Sequence, residues 1–468
     1  MLVQNTLTRK KEEFVPMEDN KVVMYICGLT PYDHAHVGHA RAYVVYDVMK
    51  RYLEHKGYEV FHIQNITDVE DKVLKRSEES GIPAQELTEK FNAEAMELFR
   101  QLNILDADVY PKVTGHIPDI IGMVKKILEN GYAYETPSGV YFDVSKFEGY
   151  GRLSGQKVEE MNRGARVEVE ETKEDAADFA LWKKAEGQLT FDSPWGRGRP
   201  GWHIECSAMG MKYSGGRTID IHGGGRDLVF PHHENECAQA ESALRIPFVK
   251  YWLHTGFLTV DGEKMSKSLG NFIVLKDLLE QKPACAVRMF FLQSHYRSPV
   301  DFSYESIDSA GEAAKRIFNL VRKVDEALEE GAPGKKDDDF RAACARETAE
   351  FYSAMDDDFD TPMALAHLFE LAKLVFPHLE SGSPDSGHLK QLKEEFGKML
   401  QVLGLKEDEV EMPDLSKKLL DAMLELREMA RMKKDFEMSD AIRDKLSVMG
   451  VVVEDTEKGP RWRIEKPK

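Results

Sequence analysis

The sequence predicts an α/β fold: a parallel-sheet domain in two halves around an α+β insertion, then an α-helical domain and a small C-terminal domain. Three observations carry this. Two short apolar runs, Val22 to Ile26 and Glu59-Val60-Phe61-His62-Ile63, flank a segment from Val37 to about Lys56 whose apolar residues recur at helical spacing. Strand, helix and strand in that order form a parallel pair through a right-handed crossover. The same alternation returns near residue 195, and beyond about Ser303 only helical spacing remains.

In chain order, Leu2 to Pro16 reads as a charged lead-in. The first strand ends at Cys27 and Gly28, and Asn65-Ile66-Thr67-Asp68 follows the second strand. Glu70 to Leu105 is mostly helical. Residues 1–107 thus form the first half of the sheet domain. Residues 108–194 read as an insertion, with a helix near 117–130, a strand at Gly139 to Val144 and a charged stretch at 159–175. The second half, 195–302, holds a helix from Trp202 to Tyr213, a strand from Thr218 to Ile221 and a turn at Gly223-Gly224-Gly225. A helix at about 231–244 and a strand within 248–257 follow. Residues 303–403 are helical, interrupted by Gly/Pro/charge runs at 331–339 and 381–387 that cannot bury a core. An acidic connector leads to 413–468, read as two helices, 415–433 and 437–449, and a short hairpin.

With 468 residues the chain can hold several domains. Its net charge of -19 argues against nucleic acid as a partner. That charge is uneven, however: from Pro413 to the end there are 13 Lys/Arg against 12 Asp/Glu. Local cationic patches on an acidic protein still bind phosphate. Five widely spaced cysteines, Cys27, Cys206, Cys237, Cys285 and Cys344, do not make a disulfide framework and fit a reducing compartment. The N-terminal residues are polar and charged, and no apolar run reaches membrane-span length. A soluble cytoplasmic protein without a membrane partner is expected.

Four groups of residues carry chemistry. His36-Val37-Gly38-His39 sits where the first helix begins, at the sheet edge where ligands bind in open α/β folds. Helix N-termini attract anions, Gly38 admits a ligand to the backbone, and two imidazoles add donors. Lys264-Met265-Ser266-Lys267-Ser268 puts two ammonium groups in a Gly-flanked loop that can close over a polyphosphate. His232 and Glu236 are one helical turn apart and can grip one ion. His233 and Cys237 form an alternative pair. His233-Glu234-Asn235-Glu236 begins like the zinc-protease pattern HExxH, but Cys237 replaces its second histidine, which excludes that class. In the tail, Arg427, Arg431, Lys433, Lys434, Arg443 and Lys445 lie on the two helices. Arg461-Trp462-Arg463 can stack a base between guanidiniums, or Trp462 can cap a small core.

The order and spacing of His-Val-Gly-His and Lys-Met-Ser-Lys-Ser resemble class I aminoacyl-tRNA synthetases, which implies a Rossmann-type sheet. Further segments resemble the cysteinyl-tRNA synthetases: Cys27, the stretches GWHIEC (201–206) and HGGGRDLVFPHHENE (222–236), DDDFDTP (356–362), SDAIRDKL (439–446) and GVVVEDT (450–456). The likeness runs from Asn5 to Arg463. It implies that His36, Gly38 and His39 contact ATP, and that Lys264 and Lys267 stabilise the departing pyrophosphate. Asp227 is then a ribose partner, Gly28 and Thr67 line the amino-acid pocket, and Trp202 packs on the cysteine side chain. One Zn2+ is held by Cys27, Cys206, His232 and Glu236, a thiolate, imidazole and carboxylate set that favours zinc; Cys237 is a bystander. Mg2+ accompanies ATP. The implied partners are L-cysteine, ATP and cysteine tRNA, with residues 413–468 an anticodon-binding domain and Arg427, Arg431, Arg461, Trp462 and Arg463 its candidate contacts. The implied state is a monomer. Two rivals share parts of this pattern. The cysteine ligase of mycothiol synthesis, with a sugar-amine acceptor, lacks the tail. A catalytically silent RNA-binding paralogue need not keep His36, His39, Lys264 and Lys267.

Overall fold

The charged lead-in, Leu2 to Pro16, contains an antiparallel hairpin that the sequence did not display, β1 (Leu2–Asn5) and β2 (Lys10–Glu13). Asn5 pins it to the sheet, donating through Nδ2 to Lys250 O at 2.9 Å and accepting from Trp252 N at 3.2 Å. Strands of four residues, LVQN and KKEE, are too short for an apolar alternation to show in the sequence. The computed structural model describes residues 1–156, 173–265, 270–331, 334, 337–380, 385–408, 414–456 and 459–464. They fall into two compact units, Met1–Lys406 and Glu407–Lys468.

The expected β-α-β unit is β3 (Lys21–Leu29), α1 (Val37–His55) and β4 (Glu59–Ile66). Two helices follow, α2 (Asp71–Ser80) and α3 (Ala84–Gln101). The insertion holds α4 (Ile117–Glu129) and an antiparallel sheet of β5 (Ala133–Thr136), β6 (Gly139–Phe142), β7 (Phe179–Lys184) and β8 (Gly198–Pro200). Most of the charged 159–175 stretch lies outside the described residues. The second half supplies α5 (Ile204–Tyr213), β9 (Ile219–Gly225), α6 (Glu234–Leu244) and β10 (Val249–Thr255). The central sheet runs β10-β9-β3-β4, all parallel.

Two strand ends differ from expectation. β3 passes through Cys27 and Gly28 to Leu29, with its register against β4 shifting between Ile26 and Leu29. The triple glycine is not a turn but the end of β9. A Cβ on Gly223 would lie 2.4 Å from the Tyr46 ring, so glycine lets the α1 tyrosine lie against this strand. The Tyr46 hydroxyl then donates to Gly224 O and Leu253 O, each at 2.8 Å.

Successive residues of β3 face opposite sides. Met24 and Ile26 join one core, with α1 and α3. Tyr25 and Cys27 join the other, with α4, α5 and α6. Beyond the sheet come β11 (Leu258–Val260), β12 (Glu263–Lys264), α7 (Leu275–Gln281), α8 (Ala284–Leu292) and β13 (Val300–Phe302). The helical region is α9 (Tyr304–Glu330), α10 (Asp338–Asp356), α11 (Thr361–Glu380) and α12 (Ser386–Leu403). It shares the first core. Buried Arg288 ties it down, donating to Leu403 O (2.8 Å), to Leu102 O (3.0 Å) and to the Asp47 carboxylate.

The second unit contains α13 (Asp414–Met432), α14 (Phe436–Val448) and the hairpin β14 (Val451–Thr456) and β15 (Gly459–Ile464). Its core is Leu420, Leu424, Ile442, Leu446 and Val451. Among the described residues, no helix is long and apolar enough to cross a membrane.

Candidate active site and metal centre

His36 is the N-cap of α1. Its Nδ1 accepts from Gly38 N (3.1 Å) and His39 N (3.4 Å), while His39 Nδ1 accepts from His36 N (3.3 Å). This is a capping box built from two imidazoles, stacked at 3.6 Å. Val37 N donates to Ile273 O at 3.2 Å. The first-turn N–H groups are therefore taken by the protein itself. The anion-binding capacity expected of the bare helix end passes to the imidazoles instead. Gly38 serves the cap as well as the ligand, since a Cβ there would meet the His36 ring at 3.0 Å.

The second signature begins on β12, whose Lys264 backbone pairs with Thr259. Ser266 to Leu269, Lys267 among them, lie outside the described residues, as does the side chain of Lys264. Both flanks of that loop nevertheless reach the histidine turn. Met265 Cε would lie 3.5 Å from a Cβ on Gly38, Phe272 packs edge-on against His36 at 5.0 Å, and His36 bridges to Val274. Two motifs more than 200 residues apart in sequence thus share one sheet edge.

Cys27, Cys206, His232 and Glu236 are all buried, with donor atoms within 4.8 Å of one another. Cys27 comes from β3, Cys206 from α5, and Glu236 from the first turn of α6 with His232 just before it. His232 Nε2 lies 2.9 Å from Glu236 Oε1, and His222 Nε2 lies 2.7 Å from Oε2. Burial opposes ionisation of Glu236, but His222 and His232 outweigh it and hold the carboxyl down at about 2. Burial likewise opposes charge on His232, yet Glu236 and Cys206 push it up to about 10. A hydrogen bond from the Cys27 thiol pulls Cys206 down to about 6, while burial and the neighbouring Cys206 sulfur raise Cys27. The carboxylate and the lowered thiol are balanced here by a proton on His232; a divalent cation can take that proton's place, and the sulfur and nitrogen donors fit zinc.

A second set, Cys27, His222, His233 and Glu236, shares two members and is equally buried. Cys27 Sγ lies 3.2 Å from His233 Nε2. His233 Nδ1 is 2.7 Å from His254 Nε2, and His254 Nδ1 is 2.8 Å from Thr6 Oγ1. His203 Nδ1 meets His232 Nδ1 at 2.9 Å. Sequence reasoning missed His203, His222 and His254 as partners of the cluster. Five of the chain's 15 histidines falling between 203 and 254 was the signal available. Cys237 belongs to neither set: Arg152 donates to its sulfur at 3.1 Å, and Glu241 lies at 3.4 Å.

Around the cluster, the ring of Trp202 sits 4.4 Å from His232 and is 37% exposed. Gly28 N donates to Asn65 Oδ1 at 2.8 Å, and buried Thr67 donates to Glu205 Oε2 at 2.9 Å. Asp227 is exposed on a 3-10 turn just beyond β9.

The C-terminal unit corrects one expectation. Arg427 is only 2% exposed and bonds both Asp455 oxygens, at 2.6 and 2.8 Å, so it is a structural residue rather than a surface contact. Arg431 also reaches Asp455, at 2.6 Å. Trp462 is half-buried and packs on the small core. Arg461 and Arg463 stand on β15 opposite Glu454 and Val452; their side chains lie outside the described residues.

The parallel sheet, its insertion and the two joined signatures define the catalytic domain of a class I aminoacyl-tRNA synthetase. The family profile "tRNA synthetases class I (C) catalytic domain" matches residues 13–312. A DALR domain matches 350–407, and the "Cysteinyl-tRNA ligase anticodon binding domain" matches 412–463. A cysteine--tRNA ligase of Thermococcus gammatolerans is 47% identical, over 98% of each chain. One of Carboxydothermus hydrogenoformans is 46% identical, over 99% of this chain and 100% of its own. The chain belongs to the cysteinyl-tRNA synthetase family, and it is an aminoacyl-tRNA ligase. The fold is also that of a Mycobacterium tuberculosis methionyl-tRNA synthetase, solved with methionyl-adenylate (TM-score 0.60, 17% identity, covering 86% of this chain and 94% of that one).

Proposed function

We propose that this chain activates L-cysteine with ATP, releasing pyrophosphate, and transfers the cysteinyl group to the 3'-terminal ribose of cysteine tRNA. The observation that carries this reading is a buried thiol, imidazole and carboxylate cluster on the same sheet edge as the histidine cap. In the first step the cysteine carboxylate attacks the α-phosphorus of ATP in line. His36 and His39 hold the phosphates, and Lys264 and Lys267 neutralise the charge that grows on the pyrophosphate, which Mg2+ accompanies. In the second, a ribose hydroxyl attacks the adenylate carbonyl, the ester forms and AMP leaves, with no covalent enzyme intermediate.

Cys27, Cys206, His232 and Glu236 hold the metal, which we take to be one zinc ion, the cation this sulfur, nitrogen and oxygen donor set favours. His222, on the second oxygen of Glu236, is a supporting donor rather than a ligand. Bound there, zinc supplies a Lewis acid with far greater affinity for a thiolate than for a hydroxyl or methyl group. That exceeds the roughly 10–200-fold discrimination of an apolar pocket between small side chains, so no editing domain is needed. Gly28, Thr67 and Trp202 shape the pocket, and Asp227 takes the ribose.

Sheet halves 1–107 and 195–302 perform activation, with 108–194 inserted between them. Residues 303–403 and 413–468 serve the tRNA, with Arg431, Arg461, Trp462 and Arg463 as candidate contacts. The chain works as a cytoplasmic monomer. The anticodon-domain match weighs against a sugar-amine acceptor.

The test is cysteine-dependent ATP–pyrophosphate exchange together with tRNA charging, with and without zinc. Exchange without charging of any tRNA would sink the tRNA acceptor, and no exchange at all would revive the silent paralogue. Deleting 413–468 is expected to spare exchange and impair charging. Equal loss of both would make the tail merely structural.

A further inference from the structure

Arg41 lies on α1, two residues past His39, and is almost fully buried. Among the described residues no carboxylate pairs with it. Instead it donates through Nη1 to Gly256 O (2.7 Å) and Phe257 O (2.6 Å), and through Nη2 to Ser298 O. Burial pulls the guanidinium down to about 10. An apolar side chain would fill the same space without that penalty. What the guanidinium adds is direction, since its donors project from one rigid plane.

The carbonyls it grips mark where the chain leaves the central sheet. β10 ends at Thr255 and β11 starts at Leu258, so Gly256 and Phe257 are the root of the β11–β12 hairpin that ends in Lys264. The root lies against the backbone of Tyr296 to Ser298. Gly256 N donates to Tyr296 O at 2.7 Å, and a Cβ on Gly256 would lie 2.3 Å from Ser298 O. Buried Asp358 fixes that segment, accepting from the Tyr296 hydroxyl (2.8 Å) and from Arg297 Nε (2.7 Å). Downstream of the hairpin the chain returns to α1 through backbone alone, with Val37 N on Ile273 O (3.2 Å) and Leu275 N on Ala35 O (2.9 Å). Upstream, it is Arg41 that makes the tie.

We infer that Arg41 is a positioning residue for amino-acid activation: it fixes the root of the β11–β12 hairpin against the helix that carries His36 and His39, and so sets where Lys264 stands relative to the phosphates. The inference rests on the activation reading and adds to it a residue that acts through others.

The test uses the full-length, zinc-loaded chain. Arg41→Met keeps the length and removes every donor, and Arg41→Lys keeps the charge with a single donor centre. Pyrophosphate exchange gives kcat and the KM for ATP and for cysteine, alone and combined with Lys264→Ala. Arg41→Met is expected to lower kcat by roughly 100-fold, the effect of a ~1 Å displacement, and Arg41→Lys by about tenfold. The KM for cysteine and the zinc content should stay as in the parent. In the Lys264→Ala background the same changes should lower kcat by no more than about threefold further, because the group they position is already gone. Arg288→Met, the same change at a buried arginine bonded to the Leu403 and Leu102 carbonyls, should act independently of Lys264→Ala. Amide hydrogen exchange gives a readout apart from the reaction: amides 256–264 should exchange faster in both Arg41 variants, while 203–206 and 232–237 match the parent. Additive effects of Arg41 and Lys264, a raised cysteine KM, or unchanged amide exchange at 256–264 would each overturn the inference. Should Arg41→Met fail to fold, Arg41→Lys decides by the same criteria. A parent chain without pyrophosphate exchange counts against the activation reading, whereas the amide contrast bears on Arg41.

Discussion

Replacing Gly28 with alanine adds one methyl group where β3 lies against the Asn65 backbone of β4, next to the metal ligand Cys27. Its Cβ would lie 1.5 Å from the Asn65 carbonyl oxygen and 2.6 Å from the carbonyl carbon. To reach ordinary contact the strands must part by roughly 2 Å, and no side-chain rotation can relieve a clash with backbone. Cys27, the preceding residue, moves with the strand, although its sulfur belongs to a donor set spanning no more than 4.8 Å. Overpacking of this kind costs about 1–3 kcal/mol of stability. Misplacing a positioning group by ~1 Å costs about 100-fold in rate. The expected result for Gly28→Ala is a folded chain with a lower urea midpoint and at least ~100-fold lower kcat/KM for cysteine in pyrophosphate exchange. Gly38→Ala is the control. Its Cβ would meet the His36 ring at 3.0 Å and the end of Met265 at 3.5 Å, side chains that can yield. A loss of about tenfold or less, chiefly in KM for ATP, is expected there. Gly28→Ala within threefold of the parent would refute the argument that backbone approach at this residue sets the site.

Three further predictions concern the metal and the tail. Cys206→Ser and Cys27→Ser should each lose zinc by elemental analysis and lose cysteine activation, while Cys237→Ser keeps both; metal loss from Cys237→Ser would show the ligand set to be wrong. His222→Asn should weaken zinc binding by roughly 10- to 100-fold without abolishing it, the signature of a supporting donor, whereas complete loss would favour the second ligand set. The hydrogen bond from Arg427 holds the Asp455 carboxyl below the usual range. Its stabilising contribution is therefore full above the unfolded value near 3.9 and is lost as pH falls through the lower folded value. Asp455→Asn should accelerate hydrogen exchange across 414–464 at pH 7, with the difference from the parent closing in strong acid; a pH-independent difference would mean that the ion pair is not its origin.

The parallel β-α-β unit was legible because periodicity is a property of neighbours in sequence, and α1 keeps its apolar stripe from Val37 to Leu53. The triple glycine was not. Turn chemistry and close packing call for the same residue, and the ring that uses the space at Gly223 belongs to Tyr46, 177 positions earlier. The histidine turn was legible as a phosphate site from its composition. Its second role, capping α1 with Nδ1 of both rings, depends on rotamers that no spacing encodes.

The metal cluster marks the limit most clearly. Cys27, Cys206, His232 and Glu236 span more than 200 residues, and only the last two keep a spacing that means anything by itself. The set was reached through likeness to a family. The supporting histidines, which the sequence shows only as a loose concentration between 203 and 254, were not assigned as partners of the cluster. Charge fails in the same way. Arg427 and Arg431 look alike in sequence, yet burial and a bidentate bond to Asp455 leave Arg427 no phosphate to hold. Arg431, with its side chain 39% exposed, can exchange its contact to Asp455 for another anion. A sequence counts cations, but only packing decides which of them are already spent on the protein's own carboxylates. Arg431→Ala should therefore weaken tRNA charging with stability nearly unchanged, and Arg427→Ala should unfold 407–468 locally first. Reversal of that order, read by charging and by hydrogen exchange, would return Arg427 to the list of RNA contacts.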